Sequence, residues 1–435
     1  MKNQMLQNIV LSLITLTLFG ASASAKPRIL TPMHEVHMDL DMTGPEYRQI
    51  LESQGNRLPD VHPLDDIVEM GARNLRWLEK INSALPVKLS FTSAATQTGT
   101  PIETPKQYNE KTIRADFTEL MNTIPVEMKP VLLGQAELTA TLPIEEAAYL
   151  EWGRKANKIY ESATRWKLLQ PSLFFLAQRR MKDIRGFYFL SRDPAREENF
   201  KNYSSLGGVG EEVKVNYKEW LVQVCTNTTG SRERCLSEVA QSISANSLSA
   251  LYAKYLPGAQ KMWDGYFQIP AGIQSSSVTW NATNPQVAKV LIKDPLQENV
   301  RQYLEGNIEE EWQWDGWSMQ IDFTQVSSLF AKAIEVVWEA GATPHVPGLG
   351  VNQIVMDGNS LLTEYNVQWT IRHEVGHVFG LPDCYLEFYD TDAQIMVSYQ
   401  HDITNLMCSR RGHLQQKHYD EMKKAYYQKS NENLN

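Results

Sequence analysis

The spacing of apolar and polar residues predicts alternating strands and helices in the last 150 or so residues. Residues 287–293 form a continuous apolar and β-branched run, which is typical of a buried strand. Residues 298–314 have helical spacing, and residues 317–323 alternate as a half-buried strand does. After these the spacing predicts a helix over 326–340, a strand over 352–356, a helix from about Asn366 and a final helix over 414–427.

Residues 26 to about 284 have a less regular pattern. Segments 36–42 and 137–142 alternate as strands do, whereas 143–166, 171–182 and 237–255 have helical spacing. The Gly/Ser-rich segment 204–211 is predicted to be a loop, because the Gly-Lys-Ser/Thr ending of a phosphate-binding loop does not follow it. We therefore expect a mixed α/β N-terminal region of unknown fold, which acts as a pro-segment, a substrate-recruiting domain or both.

The first 25 residues have the pattern of a Sec-type secretory signal peptide. Lys2 gives a positive start, residues 9–19 are mostly apolar, and Ala23-Ser24-Ala25 is a small-residue cleavage site. The apolar run is too short to span a bilayer, and no later segment reaches about 20 uninterrupted apolar residues. We expect a secreted or periplasmic protein whose mature chain starts at Lys26 and has no stable membrane insertion.

The length of the chain predicts how it is divided, and its charge makes some classes of partner unfavourable. A mature chain of about 410 residues exceeds one ordinary core, so we expect a division into a region over 26–284 and a domain over 285–435. The formal net charge is −9 and no basic cluster stands out, which makes nucleic acid and anionic membrane surfaces poor partner candidates. The 11 Trp and 18 Tyr argue against a disordered chain.

Residues 373–383, which read HEVGHVFGLPD, carry the clearest chemical pattern. His373 and His377 are four residues apart on a predicted helix, so they lie on one face and can bind the same metal ion. Gly380 can end the helix and turn the chain back, which would make Asp383 a third ligand. Glu374 is placed to accept a proton from a metal-bound water.

This longer pattern favours a zinc site over a structural helix. A bare H-E-x-x-H arises by chance in roughly one chain in a hundred, whereas the added Gly and Asp make the pattern far rarer. Two imidazoles, one carboxylate and an open position for water are typical of one catalytic Zn²⁺. The opposite face of the predicted helix is apolar and consists of Val367, Ile371, Val375 and Val378.

The four cysteines all lie in the mature chain, which suggests disulfides in an oxidising compartment. Cys225 and Cys235 can close a short loop. Cys384 follows the proposed third ligand, and Cys408 lies in the segment expected beneath the metal. Four cysteines permit three pairings, of which we favour 225–235 with 384–408. The competing structural zinc site lacks the usual paired C-x₂₋₄-C spacing.

With these residues in view, the C-terminal region over about 285–430 resembles the metzincin zinc metalloendopeptidases. Their pattern is H-E-x-x-H-x-x-G-x-x-[H/D], followed by a methionine-containing turn beneath the zinc. The Asp within the segment GLPDCY is most similar to the snapalysin-type members. The resemblance implies an α+β fold, in which a twisted mixed sheet carries the zinc helix and a C-terminal helix.

The resemblance also implies a methionine in the turn beneath the zinc. Met396 and Met407 are the candidates, and we choose Met407 because the final helix follows it.

The chain also departs from the family pattern. Asp383 replaces the more familiar His and would make the zinc a weaker Lewis acid. Ser409 stands where some members have a Tyr, so Tyr385 and Tyr399 are the candidates for polarising the substrate. His401 and His413 are alternative metal ligands.

These features predict a secreted zinc-dependent endopeptidase that acts on proteins or peptides. Glu374 would serve as general base while the zinc activates water and stabilises the oxyanion. The alternative is an exported binding protein in which the zinc is structural and residues 26–284 carry the function. A secreted factor that cleaves a single protein is a third hypothesis.

Overall fold

Helices dominate the first two thirds of the described chain, and strands alternate with helices after it. The structure is a computed structural model that describes residues 62–94, 100–206, 210–325 and 333–427. The signal peptide predicted over 1–25 and the strand predicted over 36–42 lie outside these residues.

The helices are α1 (Asp65–Ala84), α2 (Glu110–Asn122), α3 (Lys129–Leu132), α4 (Glu146–Leu169), α5 (Leu173–Gln178), α6 (Arg185–Arg192), α7 (Arg196–Lys201), α8 (Glu211–Thr229), α9 (Arg232–Ser244), α10 (Leu248–Gly265), α11 (Glu298–Glu311), α12 (Tyr365–Val378) and α13 (Gln416–Met422). The strands are β1 (Lys106–Tyr108), β2 (Val278–Thr279), β3 (Val287–Lys293), β4 (Gln313–Trp314), β5 (Trp317–Thr324), β6 (Glu335–Glu339), β7 (Gln353–Asp357), β8 (Tyr385–Asp390) and β9 (Ile395–Gln400).

Parallel strands form the layer against which α12 packs. β3 pairs with β5, and β6 pairs with β7, both in parallel register. A parallel bridge between Ile292 and Ile334 connects the two pairs, and His345 adds an antiparallel bridge to Val355 at the far edge. Helix α11 makes the crossover from β3 towards β5, as parallel pairing requires. The largest buried cluster lies between this layer and α11, α12 and α13.

A second sheet joins the two parts of the sequence. β9 lies in its centre, with β8 on one side and β1 on the other, and both pairings are antiparallel. β1 comes from the predicted N-terminal region, whereas β8 and β9 follow Asp383. Helices α8 and α10 cover one face of this sheet through a cluster that includes Leu386, Phe388, Val397 and Tyr399. The residues that the structure describes belong to one compact unit. The functional division at 284/285 stays a prediction.

The described chain is mixed α/β with several sheets, which agrees with the predicted α+β class. The strand over 287–293 is confirmed residue for residue, and the helices and strands predicted over 298–314, 317–323, 352–356 and 414–427 are confirmed with small shifts of their ends. The last of these ends in a π-helical turn, Lys423–Tyr427. The helical predictions over 143–166 and 171–182 hold as well, and that over 237–255 holds as two helices that break near Asn246.

Two of the predicted elements are wrong. The helix expected over 326–340 is replaced, where the structure describes it, by strand β6. The short run Ile334–Trp338 fits either period, and ladders with β3 and β7 decide in favour of a strand. The strand expected over 137–142 is a loop. Its alternation reflects Leu138, which is buried against α1, where Trp77 donates a hydrogen bond to the Thr139 carbonyl.

Among the described residues, no helix combines the length and the apolar character needed to cross a bilayer.

Candidate metal centre

Helix α12 places the two histidines of the motif in the interior of the protein. Its apolar face, with Val367, Ile371, Val375 and Val378, packs into the main core cluster as predicted. The helix starts after Glu364, a buried carboxylate that accepts hydrogen bonds from Phe91 N (3.0 Å) and Thr92 Oγ1 (2.7 Å). The N-terminal part of the chain therefore fixes the start of the helix that carries the motif.

Gly380 brings Asp383 back to the histidines. The residue has a φ of +90°, which an L side chain rarely adopts, and an added Cβ would lie 2.8 Å from Ile273 Cγ2. At this turn Leu381 N donates to Gly376 O at 2.9 Å, which closes the end of the helix. The chain then reverses, as the sequence predicts, and the Asp383 carboxylate lies over the helix.

Three potential ligand atoms converge at this point. Asp383 Oδ1 lies 3.2 Å from His373 Nε2 and 3.1 Å from His377 Nε2, and each residue of the group offers a ligand atom within 4.8 Å of the others. Two ligand atoms that each lie about 2.0–2.1 Å from a zinc ion at a tetrahedral angle are about 3.3 Å apart. The observed separations fit the edges of such a tetrahedron, so this group could hold a metal ion.

Backbone carbonyls orient both imidazole rings. His373 Nδ1 lies 3.1 Å from Leu406 O, and His377 Nδ1 lies 2.8 Å from Leu381 O. A carbonyl accepts only, so each Nδ1 carries a proton and each ring turns Nε2 towards Asp383. Two imidazole nitrogens and a carboxylate oxygen at these separations need a cation between them, which is either a proton or a metal ion. This arrangement suits a metal ion and is typical of histidine ligands.

The electrostatics of the group also favour a cation. Burial lowers the pKa of His377, but the carboxylates of Asp383 and Glu374 and the carbonyl of Leu381 outweigh it and raise the pKa to about 9. Burial raises the pKa of Asp383, but the two imidazoles outweigh it and hold the pKa well below its ordinary value. A bare group therefore retains a proton that a metal ion must displace.

Glu374 lies beside the first histidine with a free carboxylate oxygen. The residue is 5% exposed, and its Oε2 has no hydrogen-bond partner in the part of the chain that the structure describes. An unpaired buried carboxylate oxygen is costly, so its persistence at a site of this kind points to a ligand or a reacting water.

Met407 forms the floor of the candidate site, beneath helix α12. A Cβ added at Gly376 would lie only 2.3 Å from Met407 Sδ, so this glycine lets the methionine approach the backbone between the two histidines. Met396, the other candidate, packs instead with Tyr108 and Trp166 at the second sheet. Of the two methionines, the structure therefore brings Met407 to the site.

A disulfide connects the residue after Asp383 to this floor. Cys384 and Cys408 are bonded, and Cys384 N donates to Met407 O at 3.1 Å. Cys225 and Cys235 form the second disulfide, between α8 and α9. Both pairings agree with the sequence-based expectation. They also fit a protein that matures in an oxidising compartment.

Two further residues hold the floor and were missed by the sequence analysis. Asn405 Oδ1 accepts hydrogen bonds from Met407 N at 2.7 Å and from His418 Nε2 at 2.9 Å. Burial lowers the pKa of His418 to about 3, so the ring is neutral at neutral pH. The apolar spacing that predicts a helix over 414–427 is the one sequence signal that bears on this contact, since His418 lies in that helix.

Of the two candidate tyrosines, Tyr385 lies at the site. Its ring stacks towards His373 with centroids 6.3 Å apart, and it is only partly buried. Burial and the neighbouring carboxylates raise the pKa of Tyr385 well above its ordinary value, so the phenol keeps its proton. Tyr399 is instead buried at the second sheet, where its hydroxyl donates to Asp183 Oδ1 at 2.7 Å and accepts from Ile184 N at 3.1 Å.

The two alternative histidine ligands lie outside the group of three. His401 Nδ1 contacts Cys384 O at 2.5 Å, and burial lowers the pKa of His401 to about 4. His413 Nδ1 lies 3.1 Å from the buried carboxylate of Glu311. Neither belongs to the candidate cluster of His373, His377 and Asp383.

Comparisons of the chain with family models, with curated proteins and with solved structures find no match. Function is therefore inferred from the geometry and the chemistry of the side chains.

Proposed function

We propose that the protein is a zinc-dependent endopeptidase. The convergence of His373 Nε2, His377 Nε2 and Asp383 Oδ1, with their separations of 3.1–3.2 Å, carries the proposal. This donor set suits Zn²⁺ because imidazole nitrogens and one carboxylate provide three ligands and leave a fourth position for water or substrate. When bound, zinc acidifies that water and polarises the carbonyl to be attacked.

The remaining residues of the site supply the groups that hydrolysis needs. Glu374, with one unpaired carboxylate oxygen, accepts the proton of the attacking water and returns it to the leaving amine. Tyr385, whose phenol stays protonated, donates a hydrogen bond to the developing oxyanion.

The sheet edge beside the site supports a peptide as the substrate. His345 exchanges backbone hydrogen bonds with Val355 at 3.0 and 2.9 Å, so the segment around it runs antiparallel to β7 at the outer edge. An extended peptide can pair with an edge of this kind by adding a strand. We infer that the protein acts after export, as the signal-peptide pattern predicts and as two disulfides favour.

The decisive variant is Glu374→Gln, which removes the base and keeps the size of the side chain. We expect the variant to bind one zinc ion as the wild type does, while hydrolysis of a peptide library falls by about 10²–10⁴-fold. The matched control is Glu298→Gln, which alters a side chain 71% exposed at the start of α11 and should leave activity unchanged.

Two results would contradict the proposal. Near-full activity of Glu374→Gln would remove this residue from the mechanism. A wild-type protein that binds zinc tightly but cleaves no peptide or denatured protein would instead favour a binding protein with a structural zinc site.

A further inference from the structure

A cavity of about 230 Å³ lies beside the N-terminal half of the metal helix. Thr370, which lines it, is one helical turn before Glu374 and so lies on the same face of α12. Glu387, on another wall, shares a face of β8 with Tyr385, since the two are separated by one residue. Residue Thr343, next to the sheet edge described above, also lines the cavity. The cavity is therefore a neighbour of the proposed reaction site.

The carboxylates of the cavity wall already accept three or four hydrogen bonds each from the protein. Glu387 accepts from Tyr108 Oη at 3.2 Å and forms a buried ion pair with Arg165. Asp357 accepts from Tyr160 Oη, Ser360 Oγ and the backbone N–H groups of residues 341 and 359. Glu161 accepts from Asn157, Asn366 and Arg410. None of these acids offers much acceptor capacity to a ligand.

The cations of the same wall keep unused donors. Arg165 directs Nε and Nη2 to Glu387, which leaves Nη1 available. Arg410 directs Nη2 to Glu161 at 2.8 Å, and its side chain is 37% exposed. Lys106 Nζ bonds Ser162 Oγ at 3.2 Å and has no carboxylate within ion-pair distance among the described residues. The cavity thus presents donors, and its acceptors are turned to the protein.

We propose that this cavity receives a carboxylate side chain of the substrate, adjacent to the bond that is cleaved, and that Arg410, Arg165 and Lys106 select it. The inference rests on the proposed peptidase function and names its substrate class, namely peptides with Asp or Glu near the scissile bond. Guanidinium groups suit this role because they bind carboxylates through paired, charge-assisted hydrogen bonds. Since Lys106 and Arg165 precede residue 285, the N-terminal region supplies part of the substrate site.

The test uses pairs of peptides that differ only by Glu or Gln at one position on either side of the cleaved bond. We expect the wild type to cleave the Glu member with a kcat/KM about tenfold higher at one position. Arg410→Gln and Lys106→Gln should each reduce this ratio towards one, and Arg410→Lys should restore part of it. Arg234→Gln removes a surface arginine that pairs with Glu238 on α9, and it should leave both rates unchanged.

The outcomes separate this inference from the proposed function. Equal cleavage of Glu and Gln peptides at every position would overturn the acidic preference and leave the peptidase intact. A preference that persists undiminished in both Arg410→Gln and Lys106→Gln would remove these cations from the site. If no peptide is cleaved, the proposed function and this inference both fail. Lys106→Gln is expected to fold as the wild type does, because Lys106 forms no ion pair with a buried carboxylate among the described residues. A loss of the preference in this variant therefore reports on substrate binding rather than on folding.

Discussion

The sulfur of Met407 lies against the backbone of Gly376, at a place where a Cβ would be only 2.3 Å away. Met407 is 2% exposed, and Gly376 is the residue just before His377. The glycine inside a helix is therefore required by a close approach rather than by a turn. This contact connects the floor of the site to the helix that carries both imidazoles.

Gly376→Ala should destabilise the protein by about 1–3 kcal/mol, because the new methyl group overpacks the floor. The extra methyl also pushes α12 away from Met407 and should weaken zinc binding. Urea unfolding of Gly376→Ala, Met407→Ala and the double variant forms a mutant cycle. The cost of the alanine at position 376 should shrink when residue 407 is also alanine. An equal cost in both backgrounds would show that the contact is unimportant.

Asp383→Asn should weaken zinc binding by at least about 100-fold, because the neutral amide is a poor ligand and outer-shell changes alone reach that size. Competition with a zinc-sensitive dye measures the dissociation constant. The matched control is Asp392→Asn, which alters a side chain 87% exposed in the loop after β8 and should bind zinc as the wild type does. Undiminished affinity of Asp383→Asn would exclude this carboxylate as a ligand.

The two disulfides serve as controls for each other. Cys384–Cys408 closes a loop of 24 residues, and Cys225–Cys235 closes one of 10. Replacing either pair by serine should cost about 2–4 kcal/mol of unfolding free energy, with the larger cost for the longer loop. Only the loss of Cys384–Cys408 should also weaken zinc binding, since Cys384 adjoins Asp383. A similar loss of affinity in both variants would contradict a local role.

His418 should make the protein less stable in acid. Its folded-state pKa is about 3, below the ordinary value near 6.5, so its contribution is complete above pH 6.5 and is lost as the pH falls towards 3. Lowering the pH from 7 to 5 should therefore cost about 2 kcal/mol through this group. His418→Gln cannot titrate, and its unfolding free energy should fall by that much less over the same interval. Equal pH slopes would show that folding leaves the pKa of His418 unchanged.

Arg165 and Glu387 form an ion pair that joins α4 to β8 across 222 residues of sequence. Arg165→Met should destabilise the protein by about 3–5 kcal/mol, because Glu387 is then a buried and unpaired charge. The double variant Arg165→Met with Glu387→Met should recover most of this loss. Thermal and urea unfolding measure both. If the double variant is no more stable than Arg165→Met alone, the loss of stability does not come from leaving Glu387 unpaired.

The convergence of His373, His377 and Asp383 was predictable from sequence because its geometry is local. The spacing of His373 and His377 fixes a common helix face, and Gly380 permits the reversal that returns Asp383. The choice of Met407 over Met396 as the turn methionine could also be made from sequence, because the final helix follows Met407. The pairing of Cys384 with Cys408 followed from the expected positions of these segments, and that of Cys225 with Cys235 from the short loop that they can close.

Contacts that depend on distant parts of the chain could not be predicted in this way. No spacing relates Arg165 to Glu387, or Glu364 to Phe91 and Thr92, so the contribution of the N-terminal region became visible only in the fold. Strand β6 was taken for a helix because its short apolar run satisfies both periods until its ladder partners are known. Strand β8 was missed although it carries Tyr385 and Glu387.

We propose that two imidazoles and one carboxylate bind one zinc ion and leave one coordination position open. X-ray absorption at the zinc edge of the zinc-loaded protein tests it most directly. We expect two imidazole nitrogens at about 2.0–2.1 Å from the zinc, with oxygen ligands from one carboxylate and from solvent completing a four-coordinate site. Sulfur ligands, a single imidazole or four protein ligands around the zinc would contradict it.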